Sequence, residues 1–264
     1  MTIGMNNLGR NGRLGNQMFQ YASLVGIAKQ CGFDFRIPED CDLPQCFDML
    51  HCGDRYGLIE GDEVELHESH EFCEELFKEC PNHITLNGYF QTEKYFKNAE
   101  KLIRLDFRFK RTIQERVEHH FKEYLDQRPV SFCIRDFNPE FDYPGCDNNH
   151  WNIPMTYWDK AIELLGKDRV YIICSNSIEK YKDYFKGDNF VFNEVQDIEK
   201  PFFDLCLISK CDDFVISNST FSWWGAWLGG GGRGIDPVPW YGPGLSHINT
   251  DDLYTQECEK IKCK

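Results

Sequence analysis

The sequence predicts an α/β protein made of two Rossmann-type halves that face a cleft. Its 264 residues fit one large domain or two compact halves of roughly 100 to 150 residues each. Short apolar runs alternate with helical stretches along the second half, which is typical of α/β folds. Pro129 cannot continue the helix before it, so we expect halves at 1–128 and 129–264.

The first half opens with a glycine-rich turn that runs into a helix. Apolar residues recur at three- and four-residue steps from Leu14 to Ala28, and Gly32 suits the helix end. Residues 38–81 are rich in cysteine, proline, glycine and acid, and we expect an irregular, exposed region. Three further elements are predicted before the break: a strand and a helix within 84–109, and a helix over 113–125.

The second half alternates strand and helix signals. The predicted strands are 129–135, 168–176, 189–193 and 213–219. This order predicts a parallel, doubly wound sheet, in which ligands bind beyond the carboxyl ends of the strands. The site candidates therefore follow the strands directly: Arg135, Ser175 to Ser177, and Asn218 to Ser222. The glycine-rich stretch 229–234 follows a helix, so we interpret it as a connector and not as a phosphate loop.

Composition excludes several functional classes. Forty-three acidic against 29 basic residues give a net charge of −14, which argues against a nucleic-acid binder. No apolar run is long enough to span a membrane and the start lacks a signal-peptide pattern, so we expect a soluble protein without a transmembrane segment. The 13 cysteines are odd in number and lack zinc-site spacing, which predicts reduced thiols and no metal. No feature predicts an oligomeric state.

Three hydroxyl residues begin a helix directly after a predicted strand: Ser219, Thr220 and Ser222. One hydroxyl could cap the helix. Donors that converge on the positive end of a helix also bind a diphosphate. Because Asn218 belongs to the same turn, we favour phosphate contact. The tryptophans that follow are assigned to the core: Trp223, Trp224 and Trp227.

Single charged residues give weaker signals. Asp204 lies in an apolar helical stretch, where a buried carboxylate needs a partner. It either interacts with the helix start near Pro201 or accepts the N1 and N2 donors of guanine, and spacing alone favours the helix start. Arg13 and Arg135 suit phosphate because a guanidinium donates two parallel hydrogen bonds. Asn16 is typical of an N-cap, and the eight histidines are assigned to the surface.

Four segments resemble the α-1,2-fucosyltransferases of bacteria and animals: GRLGNQMFQYA (12–22), LNGYFQTEKYF (86–96), FFDLCLISKCDDFVISNSTFSWWGAWL (202–228) and PVPWYG (237–242). The resemblance implies a GT-B-like architecture with an acceptor-side first half and a nucleotide-sugar-binding second half. It also implies an inverting, metal-independent transfer of L-fucose from GDP-β-L-fucose to a glycan hydroxyl, with an α-1,2 linkage to galactose or a similar sugar. The partners are then a GDP-sugar donor and a glycan acceptor, with no cofactor besides the donor.

The resemblance also assigns roles to residues. It implies that Asp204 reads guanine, which reverses the preference from spacing. Residues assigned to catalysis are Arg135, Arg13 and Asn16. The remaining residues assigned to donor binding are Asn218, Ser219, Thr220, Phe221, Ser222 and Ser175. Family members from animals carry an N-terminal membrane anchor, which this sequence lacks, so the expected location is the cytoplasm of a bacterium or of a virus-infected host.

One motif departs from the family. Where the family has His-x-Arg-Arg-Gly-Asp-Tyr, this sequence has Cys133 and Asp136 around the retained Arg135. A thiol does not replace imidazole hydrogen bonding, and Asp136 places a negative charge near the phosphates. Two alternatives follow: the same fold with another nucleotide-sugar donor, or a glycan-binding derivative without activity. The candidate bases are Asp136, Glu140 and Asp142, and 142–145 could restore the missing turn.

Overall fold

The computed structural model describes residues 1–60, 64–195, 199–254 and 258–263. The chain divides into two compact units. One unit is Met1–Lys110 with a segment that starts at Asn249, and the other is Arg111–Ile248 with the C-terminal strand. Each unit has its own parallel sheet. No helix in the described ranges is both long and apolar enough to cross a membrane.

The first unit has four described strands and four α-helices. They are β1 (Thr2–Gly4), α1 (Leu14–Cys31), β2 (Asp34–Arg36), α2 (Leu43–Cys46), β3 (Val64–His67), α3 (Glu74–Glu79), β4 (Ile84–Asn87) and α4 (Glu100–Asp106). The strands form a parallel sheet in the order β2-β1-β4-β3. Two short 3₁₀ turns lie between β4 and α4: Glu93–Tyr95 and Lys97–Ala99.

Helix α1 confirms the predicted N-terminal helix and its end. Gly32 has a left-handed backbone with φ of 68°, and the end of the helix is closed by hydrogen bonds to the carbonyls of Ala28 and Lys29. Fourteen of its residues are buried, so the helix is enclosed on nearly all sides. A Cβ atom at Gly26 would lie 1.9 Å from the carbonyl oxygen of Tyr95. The helix therefore packs directly against the backbone of the 86–96 segment.

The prediction of an irregular, exposed region over 38–81 is wrong for α2, β3 and α3, and for buried residues such as Cys46 and Phe47. Strand β3 pairs in parallel with β4 over four residues, Val64 with Ile84 through His67 with Asn87. It is the edge strand of the sheet, and none of its side chains is buried. Because an exposed edge strand needs no apolar face, its acid-rich sequence carried no strand signal.

The second unit has six strands and six α-helices in the described part of the chain. They are α5 (Arg111–Leu125), β5 (Val130–Ile134), α6 (Cys146–Asn149), α7 (Met155–Leu165), β6 (Tyr171–Ser175), α8 (Ile178–Lys182), β7 (Phe190–Phe192), α9 (Lys200–Ser209), β8 (Asp213–Ile216), α10 (Thr220–Gly229), β9 (Gly234–Val238) and β10 (Glu259–Lys262). The sheet has the order β10-β9-β8-β5-β6-β7 and every neighbouring pair is parallel.

The predicted strand-helix series is confirmed from β5 to α10, and the glycine-rich stretch connects α10 to β9 as expected. Strands β9 and β10 were not predicted. Pro237 lies inside β9, and proline within a run weakens a strand prediction. Strand β10 is an edge strand with the charged sequence EKIK.

The boundary between the units lies before α5 and not at the predicted break between 128 and 129. The buried side of α5 is formed by Ile113, Val117 and Phe121. The Phe121 ring lies 6.0 Å from the ring of Phe203 on α9. Helix α5 therefore packs on the second unit, although Pro129 ends the sequence pattern after it.

The tryptophans of α10 confirm the prediction that they belong to the core. Trp223, Trp224 and Trp227 are all buried. The rings of Trp223 and Trp224 meet edge to face at 5.0 Å, and those of Trp224 and Trp227 at 5.1 Å. Such contacts fix the orientation of α10 on its sheet.

We expect Gly26→Ala to destabilise the protein by about 2 kcal/mol or more, because the new methyl group would overlap the backbone at Tyr95 and Phe96. Urea unfolding followed by circular dichroism measures this change. Gln30→Ala on the exposed end of the same helix is the control, with an expected change within about 0.5 kcal/mol. Equal stability of the two variants would contradict the packing described for α1.

Candidate active site

The start of α1 brings two predicted residues into one turn. Arg13 is the N-cap residue, exposed, and its side chain makes no capping hydrogen bond. Asn16 lies inside the first turn, so the interpretation of Asn16 as the N-cap is wrong. Its Oδ1 accepts a hydrogen bond from Nε2 of Gln91 at 3.1 Å. The first turn carries no acidic residue, so the positive end of the helix dipole is not neutralised there.

The segments 12–22 and 86–96 lie against each other in the first unit. Nε2 of Gln20 donates to the carbonyl oxygen of Gly88 at 2.9 Å and to that of Asn11 at 3.2 Å. The Tyr89 hydroxyl donates to Oδ1 of Asn11 at 3.0 Å. The two segments that carry the resemblance in this unit therefore form one hydrogen-bonded surface around the start of α1.

Glu68 supports this surface, and sequence reasoning missed it. Its carboxylate accepts a hydrogen bond from the backbone N–H of Tyr89 at 2.7 Å. Burial raises the pKa of Glu68, and hydrogen bonds from the N–H groups of Phe90, Tyr89 and Gln91 oppose that rise. Within an acid-rich stretch nothing in the sequence distinguishes Glu68 from its exposed neighbours.

In the second unit, Arg135 follows β5 and forms an ion pair with Asp142. The Arg135 side chain is 19% exposed and that of Asp142 is 7% exposed, so the pair is largely desolvated. Oδ2 of Asp142 also accepts from the backbone N–H of Asn138 at 3.0 Å. The guanidinium lies 5.0 Å from the centre of the Phe137 ring. These contacts hold Arg135 in one position at the carboxyl end of the strand.

Asp136 interacts with residues other than Arg135 and Asp142. Its carboxylate accepts from Nζ of Lys180 at 3.1 Å and from the Tyr181 hydroxyl at 2.6 Å. Asn176 bonds to both the N–H and the carbonyl oxygen of Asp136 at 2.9 Å. The expected unbalanced negative charge near the phosphates is therefore not found, because Lys180 neutralises it within the protein.

Asp204 lies on α9 and is 9% exposed. Its Oδ1 accepts from Nζ of Lys200 at 3.0 Å and from Nδ2 of the buried Asn193 at 2.5 Å. The carboxylate thus has the partner that its burial requires. Burial and then the negative charge of Asp204 raise the pKa of the Cys133 thiol to about 12, so Cys133 stays protonated at the end of β5.

The turn between β8 and α10 divides its hydroxyl residues into two groups. Ser219 is the N-cap residue, its side chain makes no capping hydrogen bond, and both it and Thr220 are half-exposed. Phe221 is also half-exposed. Ser222 is fully buried, and its hydroxyl bonds to the carbonyl oxygens of Ser217 and Ser219 at 3.2 and 2.9 Å. Ser222 therefore holds the turn together from inside.

Asn218 and Ser175 also lie inside the protein. Nδ2 of Asn218 donates to the carbonyl oxygens of Trp151 at 3.1 Å and Trp240 at 3.0 Å. Oγ of Ser175 accepts from the backbone N–H of Ser177 at 3.0 Å. Both residues are at most 5% exposed, so they shape the loops beyond the strand ends. Among the described residues, no cluster of three or more His, Cys, Asp or Glu side chains could hold a metal ion.

A pocket of about 700 Å³ lies elsewhere in this unit, lined by Arg128, Arg169, Lys210 and the glycine-rich connector among other residues. These residues precede β5, β6, β8 and β9, so the pocket lies at the amino ends of the strands. Ligands of parallel α/β sheets bind at the opposite, carboxyl edge. That edge, with Arg135, Asp204 and the start of α10, is the candidate active site of this unit.

Comparison with known proteins finds similarity to glycosyltransferases. Residues 149–241 match the model of glycosyl transferase family 11. An alpha-1,2-colitosyltransferase from Escherichia coli is 26% identical over 87% of this chain and 90% of its own length. Galactoside alpha-(1,2)-fucosyltransferase 2 from Rattus norvegicus is 24% identical over 86% of this chain and 68% of its own length. The O-antigen glycosyltransferase WbnK from Escherichia coli is 34% identical, but the match covers only 32% of this chain and 30% of that protein.

Solved structures show the same fold at low sequence identity. The NodZ alpha-1,6-fucosyltransferase of Bradyrhizobium, in crystals soaked with GDP-fucose, matches with a TM-score of 0.57 and 13% identity over 86% of this chain and 91% of its own. POFUT1 in complex with GDP matches with a TM-score of 0.53 and 12% identity over 85% and 93% of the two chains. The expected GT-B fold is thereby confirmed. The chain is a glycosyltransferase, similar over residues 149–241 to glycosyl transferase family 11 and over most of its length to α-1,2-fucosyl- and colitosyltransferases.

Proposed function

We propose that the protein transfers L-fucose from GDP-β-L-fucose to a glycan hydroxyl, with inversion and without a metal ion, to form an α-1,2 linkage to galactose or a similar sugar. The observation that carries this proposal is the carboxyl edge of the second sheet, where Arg135, Asp204 and the start of α10 follow adjacent elements of one parallel fold. Support comes from relatives named as α-1,2-fucosyltransferases and from a neighbour soaked with GDP-fucose.

Asp204 is suited to guanine. A carboxylate accepts two hydrogen bonds side by side, and guanine offers two adjacent donors at N1 and N2. Lys200 and Asn193 both donate to Oδ1 and fix the orientation of the carboxylate. Lys200 also forms an ion pair with Asp204, which compensates the charge of a largely buried carboxylate.

The start of α10 is suited to the diphosphate. The first N–H groups of a helix have no partner within the helix and carry its positive dipole end. Here Ser219 and Thr220 add half-exposed hydroxyl groups, and no acidic residue lies in the first turn. These donors would meet the phosphate charges without a metal ion.

Arg135 is assigned to the leaving group. In the reaction the bond from C1 of fucose to the β-phosphate oxygen breaks, GDP leaves with the electron pair, and the acceptor oxygen bonds to C1 from the opposite face. Negative charge then grows on the diphosphate, and a fixed guanidinium stabilises it. Asp142 and Phe137 hold Arg135 in place for this role. In the first unit, Arg13 and Asn16 are assigned to substrate contacts.

A second candidate donor is a GDP-linked colitose, which is L-fucose without its 3-hydroxyl group. The observation that favours it is the similarity to an alpha-1,2-colitosyltransferase over 87% of this chain. Both candidates keep the same nucleotide and the same roles for Asp204 and Arg135. They differ in the contact that the sugar 3-hydroxyl makes.

We expect Asp204→Asn to weaken the binding of GDP about 10-fold or more, because the loss of a hydrogen bond to a charged group costs ~1.5–3 kcal/mol. Isothermal titration calorimetry with GDP and IDP measures it: the wild type prefers GDP, since IDP lacks the N2 amino group, and the variant loses much of that preference. Asp159→Asn on the surface serves as control. An unchanged preference in Asp204→Asn would show that another residue reads the base.

We expect Arg135→Ala to lower kcat for fucosyl transfer ~100-fold or more, on the scale of losing one preorganised donor to a developing charge. Initial rates at saturating donor give kcat, and thermal unfolding checks that the variant is folded. Arg128→Ala, at the other edge of the sheet, should transfer at the wild-type rate. Wild-type turnover by folded Arg135→Ala protein would refute the assignment.

The donor is tested by thermal unfolding with GDP, UDP, dTDP and CMP and their sugars. A ligand that binds only the folded protein at 100 times its Kd stabilises it by about 2.7 kcal/mol. We expect GDP and GDP-fucose to raise Tm and the other nucleotides to have little effect. Transfer assays with GDP-fucose and GDP-colitose then decide between the two sugars. Stabilisation by UDP and not by GDP would overturn the proposed donor class.

A further inference from the structure

His150 was assigned to the surface from the sequence, but the structure places it beside the Arg135 site. It follows α6 and is half-buried. Its ring stacks on that of Phe137 at 4.7 Å with 17° between the planes, and Tyr241 lies 5.5 Å away. Tyr143 approaches edge-on at 6.4 Å. Aromatic contacts therefore fix the imidazole in one position.

The imidazole makes no hydrogen bond that explains its place. Its Nδ1 atom is covered by protein and has no hydrogen-bond partner in the described structure. The backbone N–H of His150 donates to the carbonyl oxygen of Cys146 at 2.6 Å. Because the side chain is half-buried and Nδ1 is covered, the edge that carries Nε2 is the part a ligand can reach.

Burial and the neighbouring charge of Arg135 favour the neutral form of the His150 imidazole by lowering its pKa. Burial lowers the pKa of His150, the positive charge of Arg135 lowers it further, and Asp142 opposes both. The rings of Tyr143 and Tyr241 also lie against the imidazole. A neutral imidazole can accept a proton at physiological pH.

The carboxylates that follow β5 are less suited to the role of base. Asp136 is held by Lys180 and Tyr181. Asp142 is ion-paired with Arg135. Glu140 is exposed to solvent. His150, in contrast, shares a contact with Arg135, because both side chains pack on the Phe137 ring.

We propose that His150 is the general base that activates the acceptor hydroxyl. The inference rests on the proposed function and adds a catalytic residue to it. As the acceptor oxygen bonds to C1 of fucose, its proton passes to Nε2 of His150, and the C1–O bond to the β-phosphate breaks with the electron pair leaving on GDP. The imidazolium then returns the proton to water, and the neutral base is restored.

The kinetic test compares His150→Gln with His120→Gln, a histidine of the same unit that lies outside the site on α5. Wild-type kcat should fall on the acid side of pH 6.5, as the base becomes protonated below its lowered pKa. His150→Gln should lose ~100-fold in kcat and also lose that acid limb, with the donor KM unchanged. His120→Gln should follow the wild type. Wild-type kcat with the same acid limb in His150→Gln overturns the proposal.

A second measurement does not depend on turnover. NMR spectra of the protein with GDP report on the histidine rings. Titration with methyl β-D-galactoside should shift the ring signals of His150 and leave those of His120 in place. A wild-type protein that transfers no fucose would refute the proposed function and leave this readout intact. His150 signals that do not move with the galactoside would overturn the role of His150, whatever the transfer assay shows.

Discussion

The parallel pairing of β5 with both β6 and β8 determines where every functional group of the second unit can lie. Cys133 is opposite Cys174 on one side and Ile216 on the other, so the three strands end at the same level. The chain leaves each strand at that level and enters a loop or a helix. Arg135, Ser175 and the start of α10 are neighbours for this reason, although many residues separate them in sequence.

The chain carries a net charge of −14, yet it is expected to bind an anion. Ion pairs near the candidate site make the two compatible. Three carboxylates near the carboxyl edge each have a cation of their own: Asp142 with Arg135, Asp136 with Lys180, and Asp204 with Lys200. Each pair is neutral as a whole, so none repels a phosphate strongly. The remaining attraction comes from backbone dipoles at the helix start, which mutation of surface charges does not change.

Sequence reasoning predicted the elements that have a local signal. Helix α1 and the series from β5 to α10 show periodic apolar residues or continuous apolar runs, and their residues alone indicate the structure. Strand β3 and Glu68 had no such signal, because an edge strand and a buried acid look like surface sequence until their partners are known. The boundary before α5 was missed for a related reason. Helix α5 belongs to the second unit because it packs on Phe203, and the proline that ends its sequence pattern does not reveal this contact.

Some residues of the candidate site were likewise predictable from the sequence and others were not. Arg135, Asp204 and the turn before α10 could be placed from motif and strand order. The partners of Asp136 and the position of His150 could not, because they depend on contacts across 40 and more residues or on the path of one irregular loop. Residues that hold a site in place are thus harder to predict than the residues that they hold.

The amide of Asn218 joins Trp151 to Trp240, and these two residues lie close to the two ends of the stretch that matches the family model. The two ends of that stretch are therefore held together by the hydrogen bonds of one buried side chain. The loop that precedes α7 and the loop that follows β9 are therefore both tied to the residue that follows β8, immediately before the turn that begins α10.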